Sequence, residues 1–360
     1  MQVHQFHGSV ADHDAIGGQI ISIRRILEDA GIQSQVFCFH PSPGFSAPAH
    51  TFREYHAYSS PDNVLLLHYS IAYPDAVWAW LRRIPDRKIV IYHNITPPHY
   101  YLGINAQYYR ETRKGLEQLS RLRSVADEAW GVSDFNCRAL VENGWGTTRT
   151  LSLIFDPERY DFPPDPTVTE RLSDGRPNVL FVGRCVPNKR WDDLIITFHQ
   201  LKRYVLPDAR LCLVGSARGM APYERFLRAL VERLGLNDVI FAGRVSQAEL
   251  VAYYQAADVF LCMSEHEGFG MPLVESMQFG VPVLAFKAAA VPETLGGAGT
   301  IFRRKDYGAV AELAGMLVKE TVLRERIITQ QRLRASAFYA ASIRERLLRY
   351  LRSPKDGVDG

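Results

Sequence analysis

DVFLCMSEHEGFGMPLVESMQFGVPVLAF, residues 258–286, reads as strand, loop, helix and strand in immediate succession. Asp258 to Met263 and Val281 to Phe286 are short apolar runs of the kind that fill a buried parallel strand. Pro272 suits the first helical position, where a missing N–H costs nothing, and Gly280 followed by Pro282 ends the helix about two turns later. A helix between two such strands favours a parallel sheet. Gly268 and Gly270 let the backbone pass close to a ligand, and the N–H groups of the first turn, near Leu273 and Val274, form an anion seat. Glu275 falls about one turn inside the helix and Glu267 in the loop before it. The plainer reading of the same residues is a capped helix with two surface glutamates.

The alternation extends in both directions. Asn178 to Val182, Arg210 to Val214 and Val239 to Phe241 precede it as strands, and Ser246 with Glu249 forms a capping box for the helix that leads into Asp258. Further upstream, strand-like runs occur at Gln2 to Phe6, Gln35 to Phe39, Val64 to His68, Lys88 to His93, Glu128 to Val132 and Thr150 to Leu153. Residues 156–177, rich in Pro and Asp, show no clear periodicity and read as a linker. The predicted organisation is therefore a domain over 1–155, a linker over 156–177, a second domain over 178–335, and a C-terminal segment, 336–360. From about Tyr307 to Leu351 the pattern is helical, and ASIRERLLRYLRS is amphipathic with arginines at helical spacing. It fits packing on a domain, a solvated basic face, or contact with an anionic membrane surface, and packing is the preferred reading.

Length and composition narrow the functional classes. The 360 residues suffice for two cores, and 47% hydrophobic with 22% charged content is that of a globular protein. A net charge of +3 and no basic run interleaved with aromatics argue against a nucleic-acid partner. Five widely spaced cysteines, an odd number without a C-x-x-C pair, read as reduced core residues. No run approaches the ~20 apolar residues of a membrane span, and the N-terminus shows no leader pattern, so the expectation is a cytoplasmic protein.

EGFGMPLVE, with seven residues between Glu267 and Glu275, resembles the paired-glutamate motif of the retaining family-4 glycosyltransferases. That resemblance implies an α/β, GT-B architecture: two Rossmann-like doubly wound parallel-sheet domains facing a cleft, the second binding the donor and the first the acceptor. It assigns the sugar hydroxyls to Glu267 and the ribose to Glu275, with Gly268, Phe269, Gly270, Met271 and Leu273 around the donor. VLFVGRCVPNKRWDDLI, from Val179, carries Gly183, Arg184 and Lys189 at a strand's carboxyl end, where open parallel sheets bind ligands. Arg184 and Lys189 match the family's diphosphate-neutralising cations, although Lys189 is also spaced for an i, i+4 pair with Asp193. Arg244 and Val245, after another strand, are implied to offer backbone to the nucleobase.

In the first domain, DHDAIGGQIISIRRIL resembles the family's glycine loop, which makes Gly17, Gly18 and Asp14 donor or acceptor contacts. Asp12 and Asp14 also form a D-x-D pattern that elsewhere chelates a metal. Here cations and helix ends supply the same charge, so neither metal nor other cofactor is expected. KIVIYHNITPPHYY ends a strand on His93, and a histidine so placed contacts the transferred sugar in the family; His68, ending the preceding strand, is a rival. No zinc site is expected.

The resemblance thus implies a metal-independent enzyme that moves a sugar from a nucleoside-diphosphate sugar to a hydroxyl of a glycan or lipid-linked acceptor. HNITPP is similar to bacterial polysaccharide and mannosyltransferase-like members, which favours GDP-mannose over a UDP-sugar and bacterial surface polysaccharide assembly as the setting. Such acceptors are compatible with peripheral attachment at the cytoplasmic face of the inner membrane. Two alternatives stay open: a GT-B sugar-nucleotide epimerase, and a non-catalytic sugar-nucleotide-binding partner of another transferase.

Overall fold

The computed structural model describes residues 1–11, 14–39 and 45–352. The chain divides into two units, one made of Met1–Pro98, Gln107–Phe155 and the chain from Phe338, the other of His99–Ala106 and Asp156–Ala337. Asp12 of the D-x-D pattern lies outside the described residues.

The first unit is built on seven strands: β1 (Val3–Phe6), β2 (Val36–Cys38), β3 (Ala49–Thr51), β4 (Val64–Tyr69), β5 (Arg87–Tyr92), β6 (Glu128–Gly131) and β7 (Thr148–Thr150). Their spatial order is β3-β2-β1-β4-β5-β6-β7, every pair parallel. All six residues of β4 are buried, as expected of a central strand covered on both faces. The second unit has β8 (Asn178–Val182), β9 (Arg210–Val214), β10 (Val239–Gly243), β11 (Val259–Cys262), β12 (Val283–Phe286) and β13 (Thr300–Phe302). Its order is β10-β9-β8-β11-β12-β13, again all parallel. Each sheet is wound outward from its first strand in both directions. The order therefore reverses between β1 and β4 in one unit and between β8 and β11 in the other, and at such a switch point two loops diverge and leave a crevice.

The sequence reading and the structure differ in identifiable places. Residues 156–177 are not an irregular linker: they belong to the second unit and carry a 3-10 turn, Pro157–Tyr160, and a helix, Pro166–Leu172. Asp165 caps that helix by accepting from Val168 N–H at 2.9 Å, with Pro166 in its first turn, and Val168 and Leu172 are buried one turn apart. Two helical turns are too short for periodicity to register. Residues 99–106 group with the second unit, where Asn105 Nδ2 donates to the Gly219 carbonyl at 2.7 Å. β3 and β13, three residues each, are edge strands without a long apolar run, and β7 starts two residues earlier than Thr150. The helix Ala340–Arg352 belongs to the first unit: Ile343, Leu347 and Leu351 are buried, and Arg87 Nη1 donates to the Leu351 carbonyl at 2.7 Å. The Arg149 guanidinium lies 5.1 Å from the Tyr350 ring centre, which adds a cation–π contact at the helix end.

The loops leaving β8, β9 and β10 are stitched by their glycines. Gly183 N–H donates to the Val214 carbonyl and Gly215 N–H to the Gly243 carbonyl, both at 2.9 Å. Gly215 has φ +153°, and a Cβ placed on it would lie 1.9 Å from the Gly183 carbonyl oxygen. Backbone faces that Cβ, and backbone cannot rotate away. Gly215→Ala should destabilise the protein by about 2–4 kcal/mol, combining unfavourable φ with overpacking. Chemical denaturation measures it, and a loss below 0.5 kcal/mol, the usual spread for surface changes, would show that the two loops separate freely.

Candidate functional site

At the switch point between β8 and β11, two loops hold each other. After β8 the chain passes Gly183 and exposed Arg184, makes a 3-10 turn at Pro187–Lys189, and enters the helix Trp191–Tyr204 through Arg190. After β11 it runs through residues 264–270 to the helix Met271–Phe279, capped by Gly270 at φ +90°. Glu265 N–H donates to the Asn188 carbonyl at 2.9 Å, and Asn188 Nδ2 to the His266 carbonyl at 3.0 Å. The second loop is also fixed from behind. Thr294 Oγ1 donates to the Phe269 carbonyl at 2.6 Å, Ala290 N–H to the Glu267 carbonyl at 3.2 Å, and the Phe269 ring is buried.

This arrangement brings Lys189 and Glu267 together, with Nζ 2.5 Å from Oε2. The expected alternative, Lys189 with Asp193, is not formed. Asp193 is buried and instead takes Arg190 at 3.0 Å, Lys305 at 2.6 Å and the Tyr307 hydroxyl at 2.8 Å. Arg190 also reaches Asp192 at 2.8 Å and Glu265 at 2.7 Å, and Glu265 takes Lys305 at 2.7 Å and the Tyr100 hydroxyl at 3.3 Å. This cluster braces the loops one residue after Lys189 and two before Glu267. In RWDD, an arginine followed by acids two and three residues on is a legible local signal. Lys305 and Tyr307, more than a hundred residues away, are not.

The helix start and Glu275 depart from the sequence reading. Pro272 occupies the second helical position, not the first, and the Leu273 N–H, expected in the anion seat, donates to the Gly270 carbonyl at 2.9 Å. The positive φ of Gly270 turns that carbonyl back over the first turn. Met271 and Gly268 flank it in the same loop and helix start. At the far end, Gly280 N–H bonds the Met277 carbonyl and Val281 N–H the Ser276 carbonyl, a Schellman close. Glu275 is buried, and its two oxygens accept from Tyr160 Oη at 2.5 Å and from Tyr254 Oη. Burial raises its carboxyl above the usual range, and the two hydroxyl donations oppose that rise. Tyr160 lies in the segment read as a linker, which is why sequence reasoning missed it. Arg244 is exposed and Val245 half-buried in the loop after β10.

In the first unit the carboxyl edge of β1, β4 and β5 holds a row of imidazoles. Gln5 Nε2 donates to the Ile20 carbonyl at 3.0 Å, which turns its Oε1 toward His68 Nε2, also 3.0 Å away. That oxygen only accepts, so His68 carries its proton on Nε2 and presents a bare Nδ1. His93 Nε2, 2.8 Å from that Nδ1, is then the donor, and the lone pair falls on His93 Nδ1, which is buried without a hydrogen-bond partner among the described residues. His68 is thus the rival in name but the neighbour in fact: the rings stack at 5.1 Å. His7 Nδ1–H donates to the His68 carbonyl at 2.8 Å. Burial lowers His93 to about 3 and holds His68 well below its ordinary value, with neighbouring imidazoles adding to the effect. Asp14 caps the helix Ala15–Asp29 by accepting from Gly17 N–H at 2.6 Å, and a Cβ on Gly17 would meet the Ala11 carbonyl at 1.8 Å. Gly18 is buried in the same first turn. Among the described residues no group of three His, Cys, Asp or Glu side chains is arranged to hold a metal, and no helix is long and apolar enough to cross a membrane.

Residues 168–334 match the family model described as glycosyl transferases group 1. A GDP-mannose-dependent α-(1-6)-phosphatidylinositol monomannoside mannosyltransferase of Mycolicibacterium smegmatis is 31% identical over 220 residues, 56% of each chain. The related enzyme of Corynebacterium glutamicum that acts on the monoacylated lipid is 30% identical over 254 residues, 66% of this chain and 65% of its own. The chain thus spans about half to two thirds of the length of the curated relatives it matches. Among solved structures, Anabaena Alr3699/HepE in complex with UDP and glucose superimposes with a TM-score of 0.77 at 19% identity, over 98% of this chain and 99% of that one. At that identity the likeness concerns the fold, the GT-B type with its two Rossmann-like parallel-sheet units.

The buried imidazoles give a pH dependence that needs no ligand to observe. Below the ordinary value of 6.5 the unfolded chain takes up protons that His93 and His68 refuse in the folded one. Stability should therefore fall as pH drops from 6.5, at up to about 1.4 kcal/mol per pH unit for each histidine, until the folded-state value is reached. Denaturant midpoints between pH 7.5 and pH 5 should show this, with a shallower slope in His93→Gln; an unchanged slope in that variant would mean that His93 titrates normally.

Proposed function

We propose that the chain, whose residues 168–334 match the group 1 glycosyl transferases, is a retaining glycosyltransferase. It moves a sugar from a nucleoside-diphosphate sugar to a hydroxyl of a glycan or lipid-linked acceptor in bacterial surface polysaccharide assembly, working at the cytoplasmic face of the inner membrane. The observation that carries this reading is the Lys189–Glu267 pair, 2.5 Å apart, at the β8/β11 switch point. A cation and a carboxylate side by side match a ligand that is anionic at one end and rich in hydroxyls at the other.

Each residue then has a task. Lys189 and Arg184 neutralise the leaving diphosphate, and the helix start at Gly270, Met271 and Leu273 adds its dipole. Glu267 accepts from the sugar hydroxyls, with Gly268 and Phe269 forming the loop wall. Glu275, already holding two tyrosine hydroxyls, keeps a second lone pair on each oxygen for the ribose. Arg244 and Val245 present backbone to the base, and Asp14, Gly17, Gly18 and His93 are the first unit's own substrate contacts. Cations on the chain itself replace a metal.

In the step itself, the bond from the anomeric carbon to the diphosphate oxygen breaks while a bond to the acceptor oxygen forms on the same face. The acceptor proton passes to the departing phosphate oxygen. Retention without a second displacement needs no carboxylate nucleophile, only charge stabilisation of the leaving group. GDP-mannose is the preferred donor, supported by the donor in the names of the mycobacterial and corynebacterial relatives. A UDP-sugar is second, supported by the nucleotide bound in the Anabaena structure.

Calorimetric titration with GDP, UDP and ADP in chelator tests the reading, followed by donor hydrolysis and transfer assays. One nucleotide should bind without metal, and one of its sugars should be slowly hydrolysed. Glu267→Ala should lower transfer by about 10²-fold or more, the scale of losing a charged contact made to the reacting sugar. Unchanged transfer in that variant would remove Glu267 from the site; conversion of the donor to its epimeric sugar, with no acceptor-linked product, would point to the epimerase.

A further inference from the structure

Lys189 and Glu267 serve opposite ends of a sugar nucleotide, yet each is the other's counter-ion. Their side chains are largely desolvated, 19% and 10% exposed, so taking away either partner leaves a charge poorly served by water. Nearby substitutes are engaged. Arg190 is held by Asp192, Asp193 and Glu265, and Lys305 by Asp193 and Glu265. Among the described residues, the ion pair of Glu267 is with Lys189. The loops cannot drift apart to relieve it, because Glu265 N–H and Asn188 Nδ2 tie them on the same side.

We propose that this ion pair is an exchange device that makes the site prefer a sugar nucleotide over the nucleoside diphosphate left after transfer. The inference rests on the function proposed above. A diphosphate that takes Lys189 strips Glu267 of its cation and adds negative charge beside it. Sugar hydroxyls compensate by donating to the freed carboxylate, so the intact donor completes the exchange. A nucleoside diphosphate breaks the same pair and brings no hydroxyl to that place. It is bound against an uncompensated carboxylate and is released, and the pair re-forms behind it.

The test is a double-mutant cycle on nucleotide affinity, using whichever of GDP, UDP or ADP the wild type binds, at fixed ionic strength. Glu267→Gln is expected to tighten binding of the nucleoside diphosphate by about tenfold while weakening the intact sugar nucleotide, reversing their order. Lys189→Gln should weaken both. In the Lys189→Gln background, Glu267→Gln should change nucleoside diphosphate affinity by less than twofold, since no pair remains to break. Thermal unfolding and near-UV circular dichroism confirm that each variant is folded. The proposal is overturned if Glu267→Gln leaves that affinity unchanged or weaker, or if the tightening persists without Lys189, which would make it plain repulsion. A wild type that binds no nucleotide overturns the transferase reading and this proposal together; one that binds and turns over while Glu267→Gln fails to tighten overturns the exchange alone.

Discussion

Loops that leave adjacent parallel strands have no ladder to continue, and everything in the second unit that bears on chemistry depends on how two such loops are tied. Backbone does the first part, with Glu265 N–H on the Asn188 carbonyl and the Asn188 amide on the His266 carbonyl. Charge does the second. Arg190 bridges Asp192 and Asp193 on its own helix to Glu265 on the other loop, and Lys305 pairs with Asp193 and Glu265. Lys189 and Glu267 are positioned as a by-product of this brace, each within two residues of it.

The brace also accounts for an unfavourable backbone. Arg190 sits at φ 53°, ψ 52°, left-handed space that costs a side chain with a Cβ about 1–2 kcal/mol. A glycine would sit there without strain but would bring no guanidinium. The planar fork donates to three carboxylates at once, which is the use for which arginine is better suited than lysine. Local strain is accepted where a side chain performs a task that the backbone-friendly residue cannot.

Much of this architecture was legible in the residues alone. Apolar runs of four to six residues between helical stretches announced both sheets, because a strand covered on two faces leaves a signal that polar alternation cannot mimic. The capping box at Ser246 is present as spelled, with the hydroxyl accepting from Glu249 N–H and the carboxylate from Ser246 N–H. What was illegible was short or distant. The helix Pro166–Leu172 has two turns, β3 and β13 have three residues each, and Tyr160 meets Glu275 across 115 positions. Spacing offered Asp193 both Lys189 at i, i+4 and Arg190 at i, i+3, and carried no information on which of the two would take it. Local rules enumerate candidates for a charge; the fold chooses among them.

The histidine row of the first unit has a property that no single ring possesses. Because the Gln5 amide is anchored by the Ile20 carbonyl, every proton in the line from Gln5 through His68 to His93 points the same way. A proton cannot be passed along such a line and leave it as it was: each transfer would face the chain toward an amide oxygen that cannot receive it. The row behaves as an insulator with a fixed polarity. Its outer nitrogen on His93 stays an acceptor, unaffected by the traffic of protons in the solvent outside.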